Sequence, residues 1–410
     1  MLPDQSKPLP SRPGTLRKAA VSESPPSESV LFDAEKILPR QIPTPDLHGR
    51  NIMTRIHRPC CHIAPPDLLG RLAIEGKPKQ REAAVRALAT SAAIRSQRAV
   101  MGRFARQFSL DGGRMASLGI RTDRRQTVYD NQKKGRSFLP GVRARGWPEP
   151  PTEDDAVNQA YDGSAATYEF YRDVFHRNSV DGAGMELVST VHYGVAFDNA
   201  FWDGAQMVYG DGSGRIFQIG GLTRSLDVIA HELTHGVTEF TAGLVYSKQP
   251  GALNEHFSDV VGSLVKQYSL KESAAEADWL IGEGILVPEL GKALRSMSQP
   301  GTAHSGDRQP SHMDNYVDLP DDNDPRNDNG GVHINSGIPN HAFYLAATAL
   351  GGNAWDVAGK IWYGALTTRL GPSTQFDEAA QATVDVAGDL FGDAEEKAIR
   401  NAWEEVGVLS

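Results

Sequence analysis

Apolar residues change their rhythm several times along the chain. Residues 1–50 are rich in Pro, Ser and charge with no sustained period, which predicts a disordered extension. From 66 to 108 apolar residues recur at helical spacing: Leu68, Leu69, Leu72 and Ile74, then Ala84, Val85, Leu88, Ala92 and Ile94. Residues 109–151 are Arg/Gly-rich and strand-like only in short pieces, of which Thr127-Val128-Tyr129-Asp130 is the clearest. A helix is predicted around 156–177. Strands at 188–195 and 205–209 follow, divided by Asp198-Asn199-Ala200-Phe201-Trp202 and closed by a Gly-rich turn at 210–214. Ser225 suits the N-cap of a helix over 226–240, and a second helix covers 251–268. Beyond a long polar loop at 299–331, helices are predicted at 336–350, 353–369, 375–391 and 393–405. Strands dominate early and helices late, a segregated α+β order without internal repeats.

Composition narrows the classes. With 40% apolar and 23% charged residues among 410, the chain can bury a sizeable core. A net charge of −9 gives no whole-chain reason to bind nucleic acid, and no apolar run of 18 residues exists to span a membrane. The first residues, Met-Leu-Pro-Asp-Gln-Ser-Lys-Pro, lack the apolar core of an ordinary secretory signal. The only two cysteines, Cys60 and Cys61, are adjacent, so no disulfide framework is expected. The helical stretch 66–108 is locally basic (Arg71, Lys77, Lys79, Arg81, Arg86 and four later arginines). It reads either as a segment that docks on an acidic domain or as a solvated helical face.

The chemistry lies in His231-Glu232-Leu233-Thr234-His235. On a helix the two histidines sit one turn apart on one face, so both imidazoles can reach one zinc ion. Glu232 can point at the open side of the metal without ligating it. A catalytic zinc needs three protein ligands and one position for water, and Glu255 is the natural third ligand. Asp259, one turn beyond Glu255, can hold the second ring nitrogen of a ligating histidine. A histidine pair alone is a weak signal in a chain with 12 histidines; the second motif is what makes it strong.

These residues, with Asn199-Ala200-Phe201-Trp202, Met207 to Gly212, Gly243-Leu244-Val245-Tyr246, Leu294-Arg295-Ser296-Met297 and Asp328 to Gly337, resemble the thermolysin family of zinc endopeptidases over roughly residues 125–410. Ala64-Pro65-Pro66-Asp67-Leu68-Leu69 resembles the Pro-Pro-hydrophobic motif of the protealysin-like branch, which has a short propeptide; Asp67 departs from the simplest form of that motif. The resemblance implies a two-lobed α+β catalytic domain, β-rich at its N-terminus and helical at its C-terminus, with the cleft between. The implied divisions are an extension at 1–50, a pro-segment and linker at 51–125, and lobes at 126–265 and 266–410.

It also implies roles. Glu232 would be the general base, Tyr246 and His333 donors to the oxyanion, and Asp328 the group that orients His333. Asn199 and Ala200 would pair with an extended peptide, and Arg295 would grip a substrate carbonyl beyond the cut. Phe217, Leu222, Val228 and Leu294 would line an apolar pocket favouring cleavage before Leu, Phe, Ile or Val; their plain alternative is ordinary core. Asp227, Glu283 and Asp278 match carboxylates of the family's double calcium site. Lys266, Leu280 and Gly284 replace others, so calcium binding should be degraded, with the Lys266 ammonium in place of one ion. A cysteine thiolate of Cys60-Cys61-His62 could cover the open zinc position, or both thiols are incidental.

The expectation is therefore a zinc endopeptidase made as a latent precursor, its own pro-segment the inhibitor and proteins or peptides its substrates. Self-cleavage would remove the first 100–130 residues. A peptide-binding pseudoprotease is the alternative, though it should lack Glu232. The chain would be secreted by a route without an ordinary signal peptide, or remain cytoplasmic.

Overall fold

Short strands, the inner ones carrying buried β-branched and aromatic residues, build one six-stranded sheet. Its strands are Cys61–His62 (β1), Gln126–Asp130 (β2), Val142–Gly146 (β3), Leu187–Val191 (β4), Ala200–Trp202 (β5) and Met207–Tyr209 (β6), in the order β1-β5-β6-β4-β2-β3. The computed structural model describes residues 61–110, 124–322 and 324–410. The extension predicted at 1–50, and Cys60, lie outside the described residues. β4 runs parallel to β2 and β6, and the other pairs are antiparallel.

Two strand expectations need correction. Residues 198–202, predicted as a divider, supply β5, an inner strand of the sheet whose three residues are all buried. β4 stops at Val191 rather than reaching 195, because His192 takes a left-handed backbone (φ 55°) that turns the chain. Asp154 and Asp211 hold the His192 ring from both sides, at 2.9 and 2.6 Å.

The basic helical stretch is two helices, Pro66–Glu75 (α1) and Pro78–Leu110 (α2). Pro78 begins α2, where a missing N–H leaves no helical bond unmade. Asp155–Phe175 (α3) is capped by the Asp154 carboxylate and packs between the sheet and the zinc-motif helix. Gly221–Arg224 (α4) leads into Leu226–Glu239 (α5), followed by Lys248–Leu270 (α6). Ser225 holds the N-cap position of α5, but its hydroxyl donates to Asp227 Oδ1 at 2.5 Å instead of accepting from the helix. Leu280–Ile281 (β7) and Arg295–Ser296 (β8) form a small antiparallel pair. Asp328–Asn335 (α7), Gly337–Leu350 (α8), Ala358–Thr368 (α9), Phe376–Leu390 (α10) and Asp393–Glu405 (α11) complete the helical lobe, packed around α6.

α5 and α6 are buried on nearly every face, as helices must be when they form the floor between two lobes. Gly262 permits their close approach. A Cβ there would stand 2.6 Å from the Asp227 carbonyl oxygen, so a larger residue would push α6 away from α5 at the level of His231.

Candidate active site

His231 and His235 project from α5 into the floor of the cleft, and Glu255 reaches them from α6; all three are buried. His231 Nε2 stands 3.0 Å from His235 Nε2 and 3.4 Å from Glu255 Oε2, and His235 Nε2 is 3.5 Å from Glu255 Oε1. Tetrahedral zinc with bonds of about 2.0–2.1 Å sets neighbouring ligand atoms roughly 3.3–3.4 Å apart. The donor set therefore fits that ion. It is the one group of three or more His, Cys, Asp or Glu side chains close enough to share a metal among the described residues.

The outer ring nitrogens are fixed. Asp259 Oδ1 lies 2.8 Å from His231 Nδ1, as the i, i+4 spacing predicts. Asn254 Oδ1 lies 2.8 Å from His235 Nδ1, with the Ser258 hydroxyl at 3.1 Å. Sequence reasoning missed these two. Their spacing from each other and from Glu255 along α6 was a usable signal. Asp259 also accepts from Asn340 Nδ2 at 2.9 Å, and no spacing along the chain could have shown that.

Arg295 departs from its expected part. Its Nε and Nη2 donate to Asp259 at 2.7 Å each, so the guanidinium first of all anchors the metal-site carboxylate. Nη1 is buried without a hydrogen-bond partner and remains the one edge able to meet a substrate carbonyl.

Glu232 is fully buried. Its Oε2 accepts from the Trp202 backbone N–H at 3.0 Å, and its Oε1 has no partner. Burial pushes this carboxyl up to about 8; neighbouring His231 opposes the shift and Glu255 adds to it. His333 stands on α7, in which the preceding Gly330 and Gly331 both have φ 84°, a backbone that L side chains resist. Asp328 Oδ1 holds His333 Nδ1 at 2.6 Å, and its Oδ2 accepts from the His333 backbone N–H at 2.6 Å. Burial works against the imidazolium, yet Asp328 and Glu255 outweigh it and raise His333 to about 10. The Tyr246 hydroxyl reaches Glu255 Oε1 and lies 3.3 Å from His333 Nε2.

Residues 61–64 run through this cleft. Strand β1 pairs antiparallel with β5, His62 opposite Phe201. His333 Nε2 lies 3.1 Å from the His62 carbonyl oxygen, the Ile63 N–H donates to the Ala200 carbonyl at 3.1 Å, and the Ala64 N–H donates to Asn199 Oδ1 at 3.0 Å. Asn199 Nδ2 donates to the Ser91 hydroxyl of α2 at 3.3 Å. Ile94 of α2 joins an apolar cluster with Tyr193, Phe197, Phe201 and Val208. Pro65 and Asp67 close a small cavity together with Arg295 and His333. Phe217, Leu222, Val228 and Leu294 are all buried in the main core, which Ile63 also joins.

Where the resemblance places calcium, the Lys266 ammonium lies 2.8 Å from Asp278 Oδ2, 3.1 Å from the Leu280 carbonyl and 3.5 Å from Asp227 Oδ2. Glu283 and the two aspartates raise the Lys266 pKa against the effect of burial. The side chain of Cys61, like all of Cys60, lies outside the described residues.

Two buried imidazoles, a carboxylate at zinc-ligand spacing and an adjacent glutamate with one free carboxylate oxygen define the class, a mononuclear zinc hydrolase. Comparison with known proteins makes the assignment narrower. The family profile described as thermolysin metallopeptidase, catalytic domain, matches residues 111–239, and that of its alpha-helical domain matches residues 242–408. An extracellular metalloprotease of Pectobacterium carotovorum subsp. carotovorum is 43% identical over 361 residues, covering 86% of this chain and 97% of that protein. Protease PrtS of Photorhabdus sp. (strain Az29) is 48% identical over 290 residues, covering 69% of this chain and 76% of its own length. Among solved structures, the precursor of protealysin from Serratia proteamaculans matches with a TM-score of 0.72 and 42% identity, covering 85% of this chain and 99% of that one. The chain belongs to the thermolysin family of metallopeptidases, on its protealysin-like side. It is a zinc-dependent endopeptidase made as a precursor.

Proposed function

We propose that His231, His235 and Glu255 hold the zinc, with Asp259 and Asn254 fixing the imidazoles, and that Glu232 is the general base. The observation that carries this reading is the partnerless Glu232 Oε1, buried beside the three ligand atoms with its sister oxygen tied to Trp202. Zinc held by these three residues would supply a Lewis acid. Glu232 would accept a proton from the attacking water and pass it to the leaving amine. His333 Nε2, oriented by Asp328, and the Tyr246 hydroxyl donate to the oxygen that becomes negative. Asn199 and Ala200 bind substrate as an added strand, and Arg295 Nη1 meets a carbonyl on the leaving side. Leu222, Val228 and Leu294, with Phe217 buried in the same core, favour an apolar residue after the cut.

Residues 61–110 act as an intramolecular inhibitor, since β1 fills the strand position that substrate needs. The full divisions proposed remain 1–50, 51–125, 126–265 and 266–410. Lys266, held by Asp227 and Asp278, takes the place of a calcium ion. The extracellular naming of a close relative supports action outside the cell, and no helix among the described residues is long and apolar enough to cross a membrane. The test uses an internally quenched peptide blocked at both ends. Zinc-loaded, processed protein should cleave it, a chelator should stop it, and Glu232→Ala should be inert with zinc content unchanged. Cleavage that persists in Glu232→Ala would sink this reading.

A further inference from the structure

The pro-segment does more than cover the cleft: it lies there in the register of a substrate. The carbonyl of the His62–Ile63 bond is held by His333 Nε2, the donor assigned to the oxyanion. The next two N–H groups, of Ile63 and Ala64, are bound by the Ala200 carbonyl and Asn199 Oδ1, the groups assigned to an extended peptide. On the other side, Cys61 pairs in register with Trp202, whose N–H orients Glu232. The residue after the bond, Ile63, is apolar, β-branched and wholly buried. The carbonyl and the two amides after it thus meet the groups assigned to a substrate backbone.

We propose that His62–Ile63 is a peptide bond this enzyme cuts in its own chain, in cis, ahead of the removal of the rest of the pro-segment. The inference rests on the endopeptidase reading. One water is consumed: its oxygen joins the His62 carbonyl carbon, the carbon–nitrogen bond breaks, and Glu232 delivers the proton to the Ile63 nitrogen. The products are a fragment ending in a His62 carboxylate and a chain beginning at Ile63. The cut alone does not clear the cleft. Ala64 and Pro65 continue into α1, and α1 and α2 stay packed on the catalytic lobes through Gln80, Ser91 and Ile94.

The experiment uses the full chain with zinc, followed by intact mass and N-terminal sequencing over time. A new amino terminus at Ile63, forming at a rate independent of protein concentration and absent from Glu232→Ala, is the expected result. Ile63→Asp should slow that cut at least about tenfold, because the pocket would have to bury a carboxylate. A readout free of turnover is amide hydrogen exchange in zinc-loaded Glu232→Ala. The Ile63 and Ala64 amides should be protected and become unprotected in Ile63→Asp. If the wild-type chain cleaves the quenched peptide yet never yields an Ile63 terminus, or if those amides exchange freely, this inference is wrong while the endopeptidase reading stands. If neither the peptide nor the chain is cut, the endopeptidase reading fails first.

Discussion

At the scale of single residues, the site works by leaving some atoms partnerless and over-securing others. Glu232 Oε1 and Arg295 Nη1 are buried without partners, whereas His231, His235 and His333 each have a fixed outer nitrogen. Asn254→Ala removes the group that orients His235. It should weaken zinc roughly 10- to 100-fold in a chelator competition, with little change in the fold. Asp67 gives a pH dependence. Burial, with Asp328 nearby, raises its carboxyl from 3.8 to about 6, while His333 and Arg308 oppose the shift. The docked carboxyl thus keeps its proton to about pH 6, and a free one only to 3.8. Docking carries no penalty in acid and the full penalty above pH 6. Part of the residue stays exposed, so the cost is on the order of 2 kcal/mol rather than the whole shift. Release of the pro-segment should speed up as pH rises through 6, and Asp67→Asn should slow release at neutral pH and flatten that profile. An unchanged profile in Asp67→Asn would remove the idea.

Among the elements, the pair α5 and α6 carries the metal site, and its geometry depends on neighbours that no local pattern reveals. Lys266, on α6, ties that helix to the start of α5 through Asp227 and to the turn before β7 through Asp278. Asp227 is almost fully buried, so Lys266→Met leaves it without its countercharge. The loss should be about 2–3 kcal/mol in denaturant unfolding, since an orphaned buried charge costs more than the pair contributes. The wild-type unfolding temperature should not respond to millimolar calcium; a rise of several degrees would show that the ion still binds there. The helices were legible in the sequence because their apolar residues recur at helical spacing over many turns. β5 was not, because three buried residues have no period to read, and only pairing with β1 and β6 makes Ala200-Phe201-Trp202 a strand.

Across the whole molecule, the pro-segment and the catalytic lobes share one surface. Ile94 of the pro-segment is buried in one cluster with Tyr193, Phe197 and Phe201 of the catalytic part. Ile94→Asp should loosen this contact, so that the full chain cleaves an added quenched peptide with a shortened lag; an unaltered lag would show that α2 is not what keeps the cleft closed. The sequence alone determined the reaction, because zinc chemistry demands particular side chains at helical spacing and those survive as a linear pattern in His231, Glu232, His235, Glu255 and Asp259. It also determined which stretches become long helices. What tertiary structure decided was every contact between distant segments: Arg295 committed to Asp259, Lys266 standing between carboxylates, and residues 61–64 lying along β5 with the His62 carbonyl on His333. Such contacts join groups up to 271 positions apart, and no local periodicity encodes them, because packing and burial choose the partner only after the chain has folded.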